Sequence, residues 1–325
     1  MAADTQAPEG LRTTSSRSGV RLGDRVFSGL ALGAGVTLLV VMAAIAVFLL
    51  VKAVPGIRDD STNWLTTTRW EPDSLPSVWG IAALAFGTVL SSVIALLLAV
   101  PVALGIALFI SHYAPRRLAV VLGALVDLLA AVPSVVYGLW GLRWLQGQMV
   151  PFQGWLNHWF GWIPLFGGTV TGARTLFTAG VVLAIMILPI VAAVSREVFL
   201  QAPRTLEEAA LALGATRWEM IRTTVLPFGR PGVISAIMLG LGRALGETIA
   251  IALVLSTSYE LNWHILEPGG TTVAANIPLQ FAEARDTGRS ALIASGLVLF
   301  VITMAVNMGA RAIVARRKDF SGASA

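Results

Sequence analysis

Six long apolar stretches separated by polar segments dominate the chain, at about 27–54, 77–111, 118–142, 175–194, 232–256 and 291–315. Each supplies the roughly 20 apolar residues that a helix needs to cross the hydrocarbon core of a bilayer. The expected fold class is therefore an all-α polytopic membrane protein with six transmembrane helices. The second stretch is too long for one upright crossing, so it is expected to tilt, or to bend at Pro101 and run on towards Ser111. This pattern divides the chain into a polar tail (1–26), a first membrane helix (27–54), a five-helix core (77–315) and a C-terminal tail (316–325). The core includes an outer loop at 143–174 and an inner loop at 196–230.

Composition excludes a soluble enzyme. Of 325 residues, 56% are hydrophobic and 13% charged, against about 25% charged in soluble proteins. With no cysteine, disulfides and thiolate-rich metal sites are ruled out. The net charge of +5 is not gathered into a basic stripe, so no nucleic-acid partner is expected. The apolar run after the N-terminal tail is a full span rather than the short core of a cleaved signal peptide.

Fifteen of the 23 Lys and Arg residues lie in the N-terminal tail, at Arg116 and Arg117, in the 196–230 loop, or from Arg311 on. Seven lie in the alternate segments: Lys52, Arg58, Arg69, Arg143, Arg174, Arg285 and Arg289. That excess puts both termini in the cytoplasm, and an even number of spans agrees. The opposite side carries Trp140, Trp144, Trp155, Trp159 and Trp162. These read first as an interfacial aromatic belt, with a docking surface for an extracytoplasmic partner as the alternative. A short helix is expected near 155–160. No internal repeat is visible, so nothing favours an inverted-repeat secondary transporter.

The inner loop should contain two short helices. Thr205-Leu206-Glu207-Glu208 and Thr216-Arg217-Trp218-Glu219 both have the spacing of a capping box, in which hydroxyl and carboxylate satisfy backbone N–H groups reciprocally. Gly214 stands where the first helix needs a left-handed stop, and Pro227 and Pro231 precede the fifth span. Leu206, Ala209, Ala210 and Leu213 form an apolar stripe at i, i+3, i+4 and i+7. Such a loop is either a stiff arm that transmits force or an ordinary cytosolic hairpin.

The fifth span carries charge at its middle. Arg243 lies eleven residues after Gly232, about 16 Å along a helix, and Glu247 follows at i+4 on the same expected face. An isolated charge at that depth costs at least about 2.5 kcal/mol, so the pair faces protein or a hydrated pathway. It reads either as a neutralising pair between helices or as an anion site, where the planar guanidinium donates to an oxyanion. In the second reading Glu247 orients Arg243 and accepts a hydrogen bond from a protonated oxyanion. A fully deprotonated anion such as sulfate meets only repulsion there. Gly240, Gly242, Ala244 and Gly246 permit close helix approach. Ser134 and Tyr137, beside Pro133 where backbone carbonyls can be freed to face a cavity, read equally as pathway residues or as packing residues. Asp127 reads as a structural partner for a neighbouring helix.

Glu208-Ala209-Ala210, Gly214, Leu226 and Pro227 resemble the EAA loop of bacterial ABC-importer permeases, with Thr224 where that family usually has isoleucine. Gly-Arg-Ala-Leu-Gly-Glu-Thr at 242–248 and Pro-Ser-Val-Val-Tyr-Gly-Leu-Trp-Gly at 133–141 resemble the C-type permease of phosphate-specific (Pst) importers. The likeness covers roughly 77–315. It implies a non-catalytic subunit in the bacterial cell membrane, with a type I ABC-importer core that moves inorganic phosphate inward. It also implies that Glu208, Ala209, Ala210, Gly214 and Pro227 couple to a separate ATPase, and that Arg243 and Glu247 take part in transport. The implied partners are a homologous A-type permease, a cytosolic ATPase dimer, an extracytoplasmic phosphate-binding protein and membrane lipid. No cofactor or metal is implied, because ATP is used by the partner ATPase. This chain has no Walker-type phosphate loop, and its lysines are Lys52 and Lys318. Rival readings are a permease for sulfate or molybdate, an ion-coupled secondary transporter, and a non-transporting scaffold.

Overall fold

The computed structural model describes residues 22–318; the polar segments expected over 1–21 and 319–325 lie outside the described residues. The chain falls into two units, one ending at Phe48 and the other beginning at Leu49. The first holds most of helix α1 (Leu22–Asp59), which starts five residues before the expected span at 27. Its residues 23–45 are exposed throughout. A helix that is apolar all round belongs in lipid.

In the second unit, β1 (Trp70–Glu71) pairs antiparallel with β2 (Val78–Trp79), Trp70 opposite Trp79. This strand takes the first residues of the expected second span, so α2 (Ala82–Leu108) begins later than 77. Trp79 is fully buried with Ala53, Ile81, Ala291 and Ala294, and its indole N–H donates to the Gly56 carbonyl at 3.1 Å. From the hairpin turn, Asp73 accepts the N–H groups of Arg285 (2.9 Å) and Gly288 (2.8 Å). It thereby caps α12 (Asp286–Lys318), which starts five residues before the expected 291. An acidic side chain at a helix N-terminus satisfies unpaired donors and complements the helix dipole.

Helix α2 continues through Pro101 to Leu108, and a π-helical turn (Phe109–Tyr113) carries it on. Ala95, Ala99, Ala103 and Ala107 form an i+4 ridge with no exposed surface. The ridge packs on α6 (Leu176–Leu200), where small side chains let two helices approach closely. Helix α6 runs six residues past the expected end at 194. It is capped by Thr175, which accepts the Thr178 N–H at 3.1 Å.

The expected third span at 118–142 is not one helix. Helix α3 (Arg116–Ala130) stops, and the chain leaves at 88° along α4 (Ser134–Trp140), a π-helical turn (Gly141–Leu145) and α5 (Gln146–Phe160). Pro133 disfavours helical backbone at the residue before it, which sets the break. The helix expected near 155–160 is the end of this longer run. Counting the bent pair as one span brings the number of candidate membrane helices among the described residues to six.

In the inner loop α7 (Arg204–Ala212) and α8 (Arg217–Met220) form as expected. Thr216 and Glu219 make a capping box, with Glu219 Oε2 2.8 Å from the Thr216 N–H. Thr205 and Glu208 do not, because Pro203 is the N-cap of α7 and Thr205 already lies inside the first turn. Gly214 has φ +89°, the left-handed stop the pattern required. A π-helical turn (Ile221–Val225) leads straight into α9 (Leu226–Leu245), so Pro227 and Pro231 lie within that helix rather than before it. Pro227 falls in the first turn of α9, where proline is well tolerated.

The expected fifth span at 232–256 is also broken. Helix α9 ends at Leu245, and α10 (Ile249–Val254) starts after a gap at 246–248. Helix α11 (Val273–Phe281), capped by the Thr272 hydroxyl, was not foreseen in the sequence pattern.

Candidate functional site

The two broken spans meet. A Cβ on Gly138 of α4 would stand 2.7 Å from Ala250 Cα and 3.0 Å from Leu253 Cδ1 of α10. A Cβ on Gly141 would stand 2.9 Å from Val182 Cγ2 and 3.1 Å from Val254 Cγ2. Each break exposes backbone groups that lipid cannot satisfy, and each has a side chain that meets one of them. The Tyr137 hydroxyl donates to the Leu129 carbonyl at 2.9 Å. Glu247 Oε1 accepts the Ala250 N–H at 3.1 Å, capping α10.

Arg243 occupies the last turn of α9, just before the break, and is half-buried. The break overturns the expectation that Glu247 shares its helix face: Glu247 is buried at 7% exposure and turned to α10. Among the described residues no ion pair includes Arg243. Ser134 opens α4 three residues before Tyr137 and is half-buried. The structure sets Tyr137 beside the first break and Arg243 beside the second, and turns Glu247 away to α10. A guanidinium with no carboxylate partner keeps its donors available to an anion. Among the described residues no group of three or more His, Asp and Glu side chains comes together to hold a metal ion.

The inner-loop residues have an unexpected orientation. Leu206, Ala209 and Leu213, three members of the apolar stripe, face outward, and Leu213 is 89% exposed. Glu208 is exposed as well, while Glu207 and Ala210 alone in α7 are half-buried. An amphipathic helix normally buries its apolar stripe; this one displays it.

Residues 99–319 match the family described as binding-protein-dependent transport system inner membrane component. The phosphate transport system permease protein PstC 2 of Mycobacterium tuberculosis is 49% identical over 300 residues, covering 90% of this chain and 92% of its own length. PstC of Xylella fastidiosa (strain Temecula1) is 40% identical over 318 residues, covering 96% and 95%. This chain belongs to the binding-protein-dependent permease family, in its PstC branch. Two solved structures share its fold. One is a bacterial ABC transporter involved in alginate import (TM-score 0.55, 19% identity, 90% of this chain and 96% of that one). The other is the inward-facing MetNI methionine transporter (TM-score 0.53, 17% identity, 71% and 92%). The permease is a multi-pass membrane protein, a non-catalytic component with the type I ABC-importer fold.

In this permease Asp127 of α3 lies 3.4 Å from Arg196 of α6, whose guanidinium also holds Glu197 at 2.6 Å. The pair lines a cleft of about 930 Å³ with Arg116 and Arg204. Asp127 therefore joins two helices, as its reading as a structural residue anticipated.

Two loops of the permease, before α6 and between α10 and α11, are joined by Glu267. It accepts the Thr169 N–H at 3.0 Å and an amide N–H of Asn262, with His264 Nδ1 3.8 Å away. The Thr169 N–H first, then the Asn262 amide, hold its carboxyl below the usual range; burial opposes them, and His264 adds the smallest pull downward. A depressed carboxylate contributes stability above its unfolded value, about pH 4.3, and loses it as pH falls through the lower folded value. Thermal unfolding of detergent-purified wild type and Glu267→Gln should therefore differ at neutral pH and converge in acid. A gap that stays constant as pH falls would refute this account.

Proposed function

We propose that this chain is the C-type permease subunit of an ATP-driven importer of inorganic phosphate. The relatives named as phosphate permeases support the substrate. The observation that carries the mechanism is the outward-facing apolar stripe of α7, with Glu208 and Leu213 exposed on the same arm. That surface fits docking on a separate cytosolic ATPase, through Glu208, Ala209 and Ala210, with Gly214 ending the helix and Pro227 starting the next span. The complex comprises an A-type permease, two ATPase copies and an extracytoplasmic phosphate-binding protein. Both termini are cytoplasmic, and this chain needs no cofactor because the ATPase uses the ATP. Closure of the ATPase pair moves the α7 arms and switches the permeases between inward-open and outward-open states. Phosphate released from the binding protein then passes Arg243, with Ser134 and Tyr137 beside the pathway.

Glu247 discriminates between anions in this reading. Its Oε1 is occupied by the Ala250 N–H, and its second oxygen accepts only from an anion that still carries a proton. Labelled uptake by the reconstituted complex tests both points. Wild type should import phosphate in an ATP-dependent way, and Glu247→Gln should lower the preference for phosphate over sulfate. No phosphate uptake by an assembled wild-type complex would move the assignment to another oxyanion. An unchanged preference in Glu247→Gln would remove Glu247 from the substrate path.

A further inference from the structure

We propose that His112 is a positioning residue: it ties α7 to the inner end of α2 through Glu207, so that the arm and the transport core move as one. The proposal rests on the reading above that α7 docks on an ATPase.

Helix α7 has no buried residue, and its inward anchors are Ala210 and Glu207. Ala210 packs against the buried cluster that contains Phe199, Met220 and Ile221. One methyl group resists being pushed inward but offers little against being pulled away. Glu207 supplies the directional contact: its Oε1 lies 3.4 Å from His112 Nε2, with side-chain exposures of 20% and 9%. His112 belongs to the π-helical turn that ends α2. A carboxylate only accepts, so Nε2 carries the proton and donates to Glu207. Nδ1 is then free to accept from the Ser111 hydroxyl, 2.7 Å away.

With both nitrogens engaged, the ring is held in one orientation. The single proton of the Ser111 hydroxyl goes either to Nδ1 or to the carbonyl of Ala107, 2.8 Å away in the buried alanine ridge between α2 and α6. The contact therefore reaches from the arm to the inner end of α2, whose alanine ridge packs on α6. Adjacent carboxylates divide the work: Glu208 faces out, where the EAA-type motif expects a partner, and Glu207 faces in.

The test uses the complete complex in liposomes, with ATP hydrolysis and phosphate uptake measured together. His112→Leu and Glu207→Leu should each lower phosphate moved per ATP by roughly tenfold, the size of losing one partly buried charge-assisted hydrogen bond. The double variant should lose no more than either single one. His112→Gln, whose amide also donates, should restore most of the coupling. Wild-type coupling in both leucine variants, or a His112→Gln as impaired as His112→Leu, would overturn the proposal. A second measurement serves if the leucine variants do not assemble. The chain has no native cysteine, so His112→Cys with Glu207→Cys can be bridged by a short bismaleimide. The bridge should form and leave uptake intact, because the two segments travel together; a pair that does not bridge, or a bridge that stops uptake, overturns the proposal. A wild-type complex that fails to retain an ATPase would instead refute the docking reading beneath it.

Discussion

Arg243→Gln should lower phosphate uptake by roughly a hundredfold or more, since removing one partner of a desolvated charge contact costs about 3 kcal/mol. Folding should survive the change. Arg243 is half-buried at the end of α9 and makes no ion pair among the described residues, so neutralising it strands no buried carboxylate. Glu247 keeps its hydrogen bond to the Ala250 N–H in either case. Arg243→Lys should fall between wild type and Gln, because a lysine retains the charge but not the planar, bidentate donor set. The measurement is labelled phosphate uptake in cells without their own phosphate importers, co-expressing the partner subunits, with the assembled complex quantified in the same membranes. Full uptake by an assembled Arg243→Gln complex would reduce Arg243 to a structural charge.

Gly138→Leu should abolish uptake and lower stability together. A Cβ at this position already falls 2.7 Å from the Ala250 backbone, and backbone cannot step aside as a flexible side chain can. Overpacking of this kind costs about 1–3 kcal/mol, and the whole isobutyl group lies beyond that Cβ. Helix α4 must then leave α10, and the contact between the two broken spans is lost. Gly105→Ala is the control: it is exposed, with no neighbour within 4 Å of an added Cβ, so uptake and melting temperature should stay as in wild type. Thermal unfolding in detergent and uptake measured side by side distinguish the two. A Gly138→Leu variant with wild-type melting would mean that α4 and α10 do not pack as described.

The legible features were local ones. Apolar stretches announced the spans, Thr216 and Glu219 announced a capped helix, and Gly214 announced a left-handed stop. The alanine ridge at 95, 99, 103 and 107 was not singled out, because hydropathy does not separate it from the apolar residues around it. The breaks at 131–133 and 246–248 were hidden, because hydropathy is blind to the direction of a helix. An apolar residue scores the same before and after a bend. Whether a chain bends inside the membrane depends on who satisfies the freed backbone groups, here Tyr137 for Leu129 and Glu247 for Ala250.

The coupling arm makes the same point on the aqueous side. Its apolar stripe was read correctly as a pattern, but a periodicity has no inside or outside until other elements pack against it. The His112–Glu207 contact spans 95 positions and carries no signal in either neighbourhood. Sequence by itself determined the membrane class, the apolar stretches that are candidate spans and the positions of Arg243, Glu247 and the 208–227 motif. Those follow from residue type and short-range spacing, which depend on solvation and local backbone geometry. Tertiary structure alone decided that Arg243 stands apart from Glu247, that α7 turns its apolar side outward, and that two broken helices meet at Gly138. Each of these depends on packing between segments distant in the chain, where a gain in one contact is weighed against every other that the fold must make.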